Sequence, residues 1–67
     1  MQFVVKLMSR IGGIFWLSAP TAEGIRTLTL RGRADVFETR EDARSAIEEM
    51  PAEFAESGIA FSVESAD

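Results

Sequence analysis

The residues of this chain that are best suited to chemistry are carboxylates, and most of them lie in one stretch. Residues 40–56 contain only two bases, Arg40 and Arg44, and six acids: Glu41, Asp42, Glu48, Glu49, Glu53 and Glu56. Over a turn or two of helix, exposed glutamates offer a density of negative charge comparable to that of a nucleic acid duplex, which carries one charge per ~1.7 Å of axis. The same pattern also occurs on the solvated outer face that every small domain needs. The two interpretations, a partner-binding acidic surface and a solvated face, both remain open from the sequence.

Residue types that commonly carry catalysis are missing. The 67 residues include no His, Cys or Tyr, which removes the usual proton carrier at neutral pH, the thiolate nucleophile and the Ser–His pair. Without Cys the chain forms neither a disulfide nor a thiolate zinc site. The acids lack the alternating spacing of a calcium loop, and the Gly12-Gly13 pair lacks the Lys-Ser/Thr element of a phosphate-binding loop. We therefore expect a non-enzymatic protein without a metal or cofactor.

Apolar side chains exceed what one face of a sheet can bury. Phe3 and Val4 are neighbours, as are Phe15 and Trp16, so one member of each pair must lie on the face away from any covering helix. Trp is enriched among residues that dominate binding energy, and we expect Trp16 to be exposed and to form an apolar partner-binding surface. The alternative is that loops or the aliphatic stems of arginines cover this face.

The charge is distributed unevenly along the chain, whose formal net charge is -4. Residues 1–33 contain five basic residues against one acid, whereas residues 34–67 contain ten acids against two arginines. Arg26, Arg31 and Arg33 are able to contact phosphates, but a net acidic chain is a poor partner for nucleic acid. We expect no direct binding of nucleic acid.

The first half of the chain has the pattern of an antiparallel meander. Apolar residues alternate with a period of two from Phe3 to Leu7, and Gly12-Gly13 allows the positive φ angles of a hairpin turn. Residues 14–18 and 25–30 are predicted to form the second and third strands, separated by a loop that contains Pro and Gly.

The second half is predicted to contain a helix and a last strand. Thr39 is a good N-cap, and an apolar face from Ala43 to Met50 has helical spacing. Pro51 is expected to end this helix and to begin a short turn, and Gly58 fits the left-handed residue that ends a helix. Residues 59–64 then alternate as a strand.

Together these elements predict one α+β domain, residues 1–67, with the order β-β-β-α-β and one helix packed on the sheet; the strand order stays open. The predicted core is one side-chain set from residues 14–17 together with Phe3, Val5, Leu7, Leu28, Leu30, Phe37, Ala43, Ala46, Ile47, Met50, Ile59, Phe61 and Val63.

Nothing in the chain resembles a membrane or export signal. The apolar run at residues 14–17 is far shorter than the ~20 residues that a bilayer requires, and the beginning of the chain alternates like a strand rather than forming a signal peptide. We expect a cytoplasmic protein with no membrane partner.

Residues 34–47 resemble a recurring element of small bacterial and phage proteins, in which a Phe, a capping Thr and a Glu-Asp-Ala helix start follow a meander. Here these residues are Phe37, Thr39 and the triplet at 41–43. In size, acidity and lack of catalytic residues the chain is similar to anti-CRISPR proteins of phages and mobile elements, several of which imitate nucleic acid or occlude its binding site. The resemblance implies an inhibitor whose partner is a basic nucleic-acid-binding host complex. The alternative is a homodimeric interaction module that uses the apolar face of the sheet.

Overall fold

The computed structural model describes residues 1–66 and has an α+β fold with a four-stranded antiparallel sheet. The sheet order is β3-β2-β1-β4. The elements are β1 (Phe3–Met8), β2 (Ile14–Leu17), β3 (Leu28–Thr29), a 3-10 helix (Arg31–Arg33), α1 (Arg40–Glu48), α2 (Ala52–Glu56) and β4 (Ala60–Ser65).

The hairpin between β1 and β2 forms where the sequence predicts it. Lys6 lies opposite Trp16, and Met8 lies opposite Ile14. Gly12 has a φ of 92°, which side-chain-bearing residues rarely adopt. The Ser9 hydroxyl accepts a hydrogen bond of 2.8 Å from the amide of Gly13 and closes the turn.

β3 is much shorter than the predicted strand at residues 25–30. The backbone hydrogen bond from the Ser18 amide to the Thr27 carbonyl forms at 2.9 Å, but side chains replace its counterpart in the ladder. The amide of Thr27 donates to the Ser18 hydroxyl at 2.9 Å rather than to the Ser18 carbonyl. That carbonyl instead accepts a hydrogen bond from the Arg26 guanidinium at 3.0 Å. Local side-chain bonds of this kind compete with regular pairing, and only Leu28–Thr29 remains as a strand.

The last strand makes the sheet differ from a simple meander. β4 pairs with β1, with Phe3 opposite Ser65 and Leu7 opposite Phe61, so the two helices carry the chain from one side of the sheet to the other. β1 therefore lies inside the sheet, between β2 and β4. This position explains why four of its residues are buried: Phe3, Val4, Val5 and Leu7.

α1 begins at the predicted cap. The Thr39 hydroxyl accepts a hydrogen bond of 3.0 Å from the amide of Asp42, which satisfies one of the free donors of the first turn. The helix ends at Glu48, two residues before the predicted end at Met50. Pro51 precedes a second, five-residue helix, and Gly58 follows it with a φ of 82°, as predicted.

The core joins the inner strands to α1. Its buried residues are Val5, Leu7, Leu17, Phe37, Ala43 and Ala46, with Ile47, Met50, Ile59, Phe61 and Val63 packed around them. The prediction that Leu28 and Leu30 belong to the core is wrong, because Leu28 is 39% exposed and Leu30 is 75% exposed. Both belong to the shortened edge of the sheet, where Leu28 lies in β3 and Leu30 directly after it, beyond the cover of α1.

The contrast between Leu17 and Leu30 gives a test of this core. Leu17 is fully buried, so Leu17→Ala should lower the free energy of unfolding by about 2–5 kcal/mol. Leu30→Ala is the matched control and should change it by no more than ~0.5 kcal/mol. Urea unfolding followed by circular dichroism measures both values. Equal losses for the two variants would contradict the core described above.

Candidate functional site

All six acids that the sequence analysis selected are exposed on the helical layer. Their positions are Glu41, Asp42 and Glu48 in α1, Glu49 directly after it, and Glu53 and Glu56 in α2. Among residues 1–66 the ion pairs are Lys6–Glu64 at 3.2 Å and Arg26–Asp35 at 2.7 Å, and neither involves any of the six. The helical layer therefore presents carboxylates whose charge no nearby ion pair offsets.

The acids of α1 divide between two directions. At 100° per residue, Asp42 and Glu49 fall on the flank of the helix that faces the β2–β3 loop, whereas Glu41 and Glu48 point away from the sheet. Asp42 and Glu49 accordingly line a cavity beside α1. The structure thus separates two acids in a concave site from two on an open surface.

Two neighbouring cavities lie between the helices and the β2–β3 loop. The first, of about 350 Å³, is lined by Gly24, Ile25, Arg26, Ala46, Glu49, Met50, Pro51 and Phe54. The second, of about 360 Å³, is lined by Arg26, Val36, Phe37, Glu38, Asp42, Ser45, Ala46 and Glu49. They share three lining residues, Arg26, Ala46 and Glu49, and are therefore adjacent. We refer to the two cavities together as the groove beside α1. Sequence reasoning did not find it, because its walls are distant in the chain.

Arg26 lies between the two cavities and is held from several sides. Its guanidinium donates to Asp35 at 2.7 Å and to the Ser18 carbonyl at 3.0 Å, and it lies over the ring of Phe37 with 5.3 Å to the centroid. The side chain is only 15% exposed. The sequence offers Arg26 as a possible phosphate contact. In the structure its side chain instead joins the β2–β3 loop to the end of β2 and to the segment that contains Asp35 and Phe37.

Other arginines also cover aromatic rings. Arg31 lies over the ring of Trp16 and Arg40 lies over the ring of Phe3, with 5.3 Å and 4.8 Å to the centroids. Arg31 also donates to the carbonyl of Ser65 at 3.3 Å, so its side chain crosses the face of the sheet that points away from α1. Val4 projects from that face and is only 3% exposed, a burial that the one-sided sheet of the sequence analysis does not predict.

Trp16 is half-buried under Arg31 rather than exposed, which matches the alternative expectation that arginine stems cover this face. The exposed apolar residues of this region lie nearer the β1–β2 turn. Ile14, Met8 and Ala60 form a row across three strands on the face away from α1. All three are exposed, with Ile14 at 50% and Met8 at 43%. On the face of the sheet away from α1, the exposed apolar side chains are therefore those of this row, whereas Trp16 is covered by the side chain of Arg31.

The features that the described residues present are exposed carboxylates, an exposed apolar row and two cavities. Within residues 1–66 no group of three or more acidic side chains is placed to hold a metal ion. No helix of the described chain has the length and apolar content needed to cross a membrane. Comparisons with protein-family models, curated proteins and solved structures gave no match to the chain.

The cover over Trp16 can be tested by fluorescence, since it is the only Trp. Arg31→Gln should raise the acrylamide quenching constant of Trp16 by removing the stacked guanidinium, which protects the ring. Arg33→Gln changes the same residue type in the same 3-10 helix, at a position where the described chain shows no such stacking, and should leave quenching unchanged. Equal quenching in all three proteins would show that Arg31 does not cover the ring in solution.

Proposed function

We propose that this chain is a small non-catalytic binding protein that presents the carboxylates of its helical layer to a cationic surface on a protein partner. The observation that supports this most directly is the set of six exposed carboxylates in α1, α2 and the link between them, none of which is ion-paired within residues 1–66. A solvated face would require no more than mixed charge, whereas this layer has six acids against two arginines.

Four of the seven basic residues are engaged in ion pairs or over aromatic rings, and within the helical layer Arg40 and Arg44 stand against six acids, so the layer keeps a net negative charge. Lys6 and Arg26 pair with Glu64 and Asp35, and Arg31 and Arg40 lie over aromatic rings. Glu41 and Glu48 are two turns apart on one side of α1, or about 10 Å along its axis. This length corresponds to about three phosphate steps of one nucleic acid strand at ~3.4 Å of axis each, so the two carboxylates can engage basic side chains that otherwise contact a phosphate backbone.

The partner that fits this surface is a basic nucleic-acid-binding site in a host complex. The chain would occupy that site by steric and electrostatic competition, as the resemblance to anti-CRISPR proteins also implies, and would work in the host cytoplasm. Attraction between opposite charges speeds the encounter and makes it sensitive to salt. The chain itself needs no contact with nucleic acid for this mechanism.

Charge reversal tests the proposal on a partner captured from host lysate with the tagged protein. Glu48→Lys, Glu53→Lys and Glu56→Lys should each weaken binding, and the triple variant should lose about tenfold or more in affinity, because each change replaces attraction with repulsion. Glu23→Lys reverses an exposed acid in the β2–β3 loop and is the matched control. The free energy of unfolding of each variant should stay within ~0.5 kcal/mol of the parent.

Salt provides the second measurement of the same interaction. Affinity should fall between 0.1 M and 1 M salt, as the Debye length shortens from ~10 Å to ~3 Å. Binding that survives the triple reversal and high salt would contradict the proposal.

A homodimeric module is the second candidate, and the exposed row of Ile14, Met8 and Ala60 favours it. Apolar patches that continue across neighbouring strands often mark interfaces. If this row joins two copies, sedimentation should show a dimer that persists in high salt and dissociates in Ile14→Glu. The matched variant Ile25→Glu, also at an exposed isoleucine, should leave the dimer intact. A monomer at all concentrations would exclude this candidate.

A further inference from the structure

The two cavities of the groove beside α1 differ in the polarity of the residues that line them. Its first cavity has apolar walls from Ile25, Met50, Pro51 and Phe54, and Ile25 is 59% exposed. An apolar side chain that enters this cavity removes its own surface and that of the walls from water, which is favourable in proportion to the area buried.

The second cavity is bordered by three carboxylates. Glu38, Asp42 and Glu49 line it, all three are exposed, and none is ion-paired within residues 1–66. Arg26 is the one basic residue among the lining residues, and its charge is offset by Asp35 at 2.7 Å. The cavity is therefore anionic and favours a cationic side chain.

We propose that this groove binds an extended segment of the partner that places an aliphatic side chain in the first cavity and a Lys or Arg side chain in the second. The inference rests on the proposed function, since it takes the partner to be cationic, and it adds a short sequence preference to that partner. The cavities, of about 350 and 360 Å³, are at the small end of the range for ligand pockets, so each has room for a side chain of the bound segment. Charge complementarity excludes an acidic segment, and the apolar cavity distinguishes the preferred segment from one that is merely basic.

Binding can be tested with defined peptides and the isotope-labelled chain. The probe is acetyl-Gly-Leu-Lys-Arg-Gly-amide, titrated at low salt while the amide resonances are followed by NMR. The controls replace Leu by Ser, or replace Lys-Arg by Glu-Glu. We expect the probe to shift the resonances of Ile25, Ala46 and Glu49, and to bind at least about threefold more tightly than either control.

Matched variants separate the groove from the general acidic surface. Ile25→Ser and Glu49→Lys should each weaken probe binding by about threefold or more, because each removes one of the two complementary contacts. Glu56→Lys reverses an acid that is not among the lining residues and should change probe affinity by less than about twofold. Ile25 lies in an exposed loop, so its substitution should not disturb folding.

The outcomes distinguish failure of this inference from failure of the proposed function. Equal binding of the Ser-containing peptide, or resonance shifts confined to Glu48, Glu53 and Glu56, would overturn the groove while the acidic surface still binds cations. Absence of binding to any basic peptide, together with capture of a partner that is insensitive to charge reversal, would overturn both.

Discussion

The half-buried pair between Arg26 and Asp35 determines where the helical layer lies. Arg26 connects the end of β2, through the Ser18 carbonyl, to the segment that carries Asp35 and Phe37. Phe37 in turn pairs with Phe3 through two backbone hydrogen bonds of 2.8 Å. Because α1 begins only three residues after Phe37, this bridge fixes the point at which the helix starts over the sheet. The pair is partly exposed, so its role is positional more than energetic.

Arginine and carboxylate side chains have different roles in this molecule. Three arginines lie over aromatic rings, where the planar guanidinium covers apolar surface and extends the small core. The acids of the helices have no comparable partners within residues 1–66. A 67-residue chain with few core residues gains cover from its arginines in this way, and the consequence is that its negative charge remains accessible on one layer.

Local signals in the sequence predict local structure well. The cap at Thr39, the hairpin turn at Gly12 and the left-handed Gly58 each depend on residues within a few positions of one another. The third strand could not be predicted in full, because the competing bonds come from Ser18 and Arg26, which are eight residues apart and meet only after the chain turns. Cover of the apolar face by arginine stems was one of two sequence-based alternatives, but the sequence could not identify Arg31, which lies beyond β3, as the residue that covers Trp16. The acidic residues were recognisable from composition, but the groove was not, since its two walls come together only through the sheet order.

The proposal is a binding surface built from negative charge on one side of a thin core. Its central claim is that this surface occupies the nucleic-acid-binding site of its partner. The most direct test is a competition measurement, in which the captured partner, loaded with its own labelled nucleic acid, is titrated with this protein. The account predicts that the nucleic acid is displaced in step with binding, so that no complex contains both. A stable ternary complex, in which protein and nucleic acid are bound together without loss of affinity for either, would contradict it.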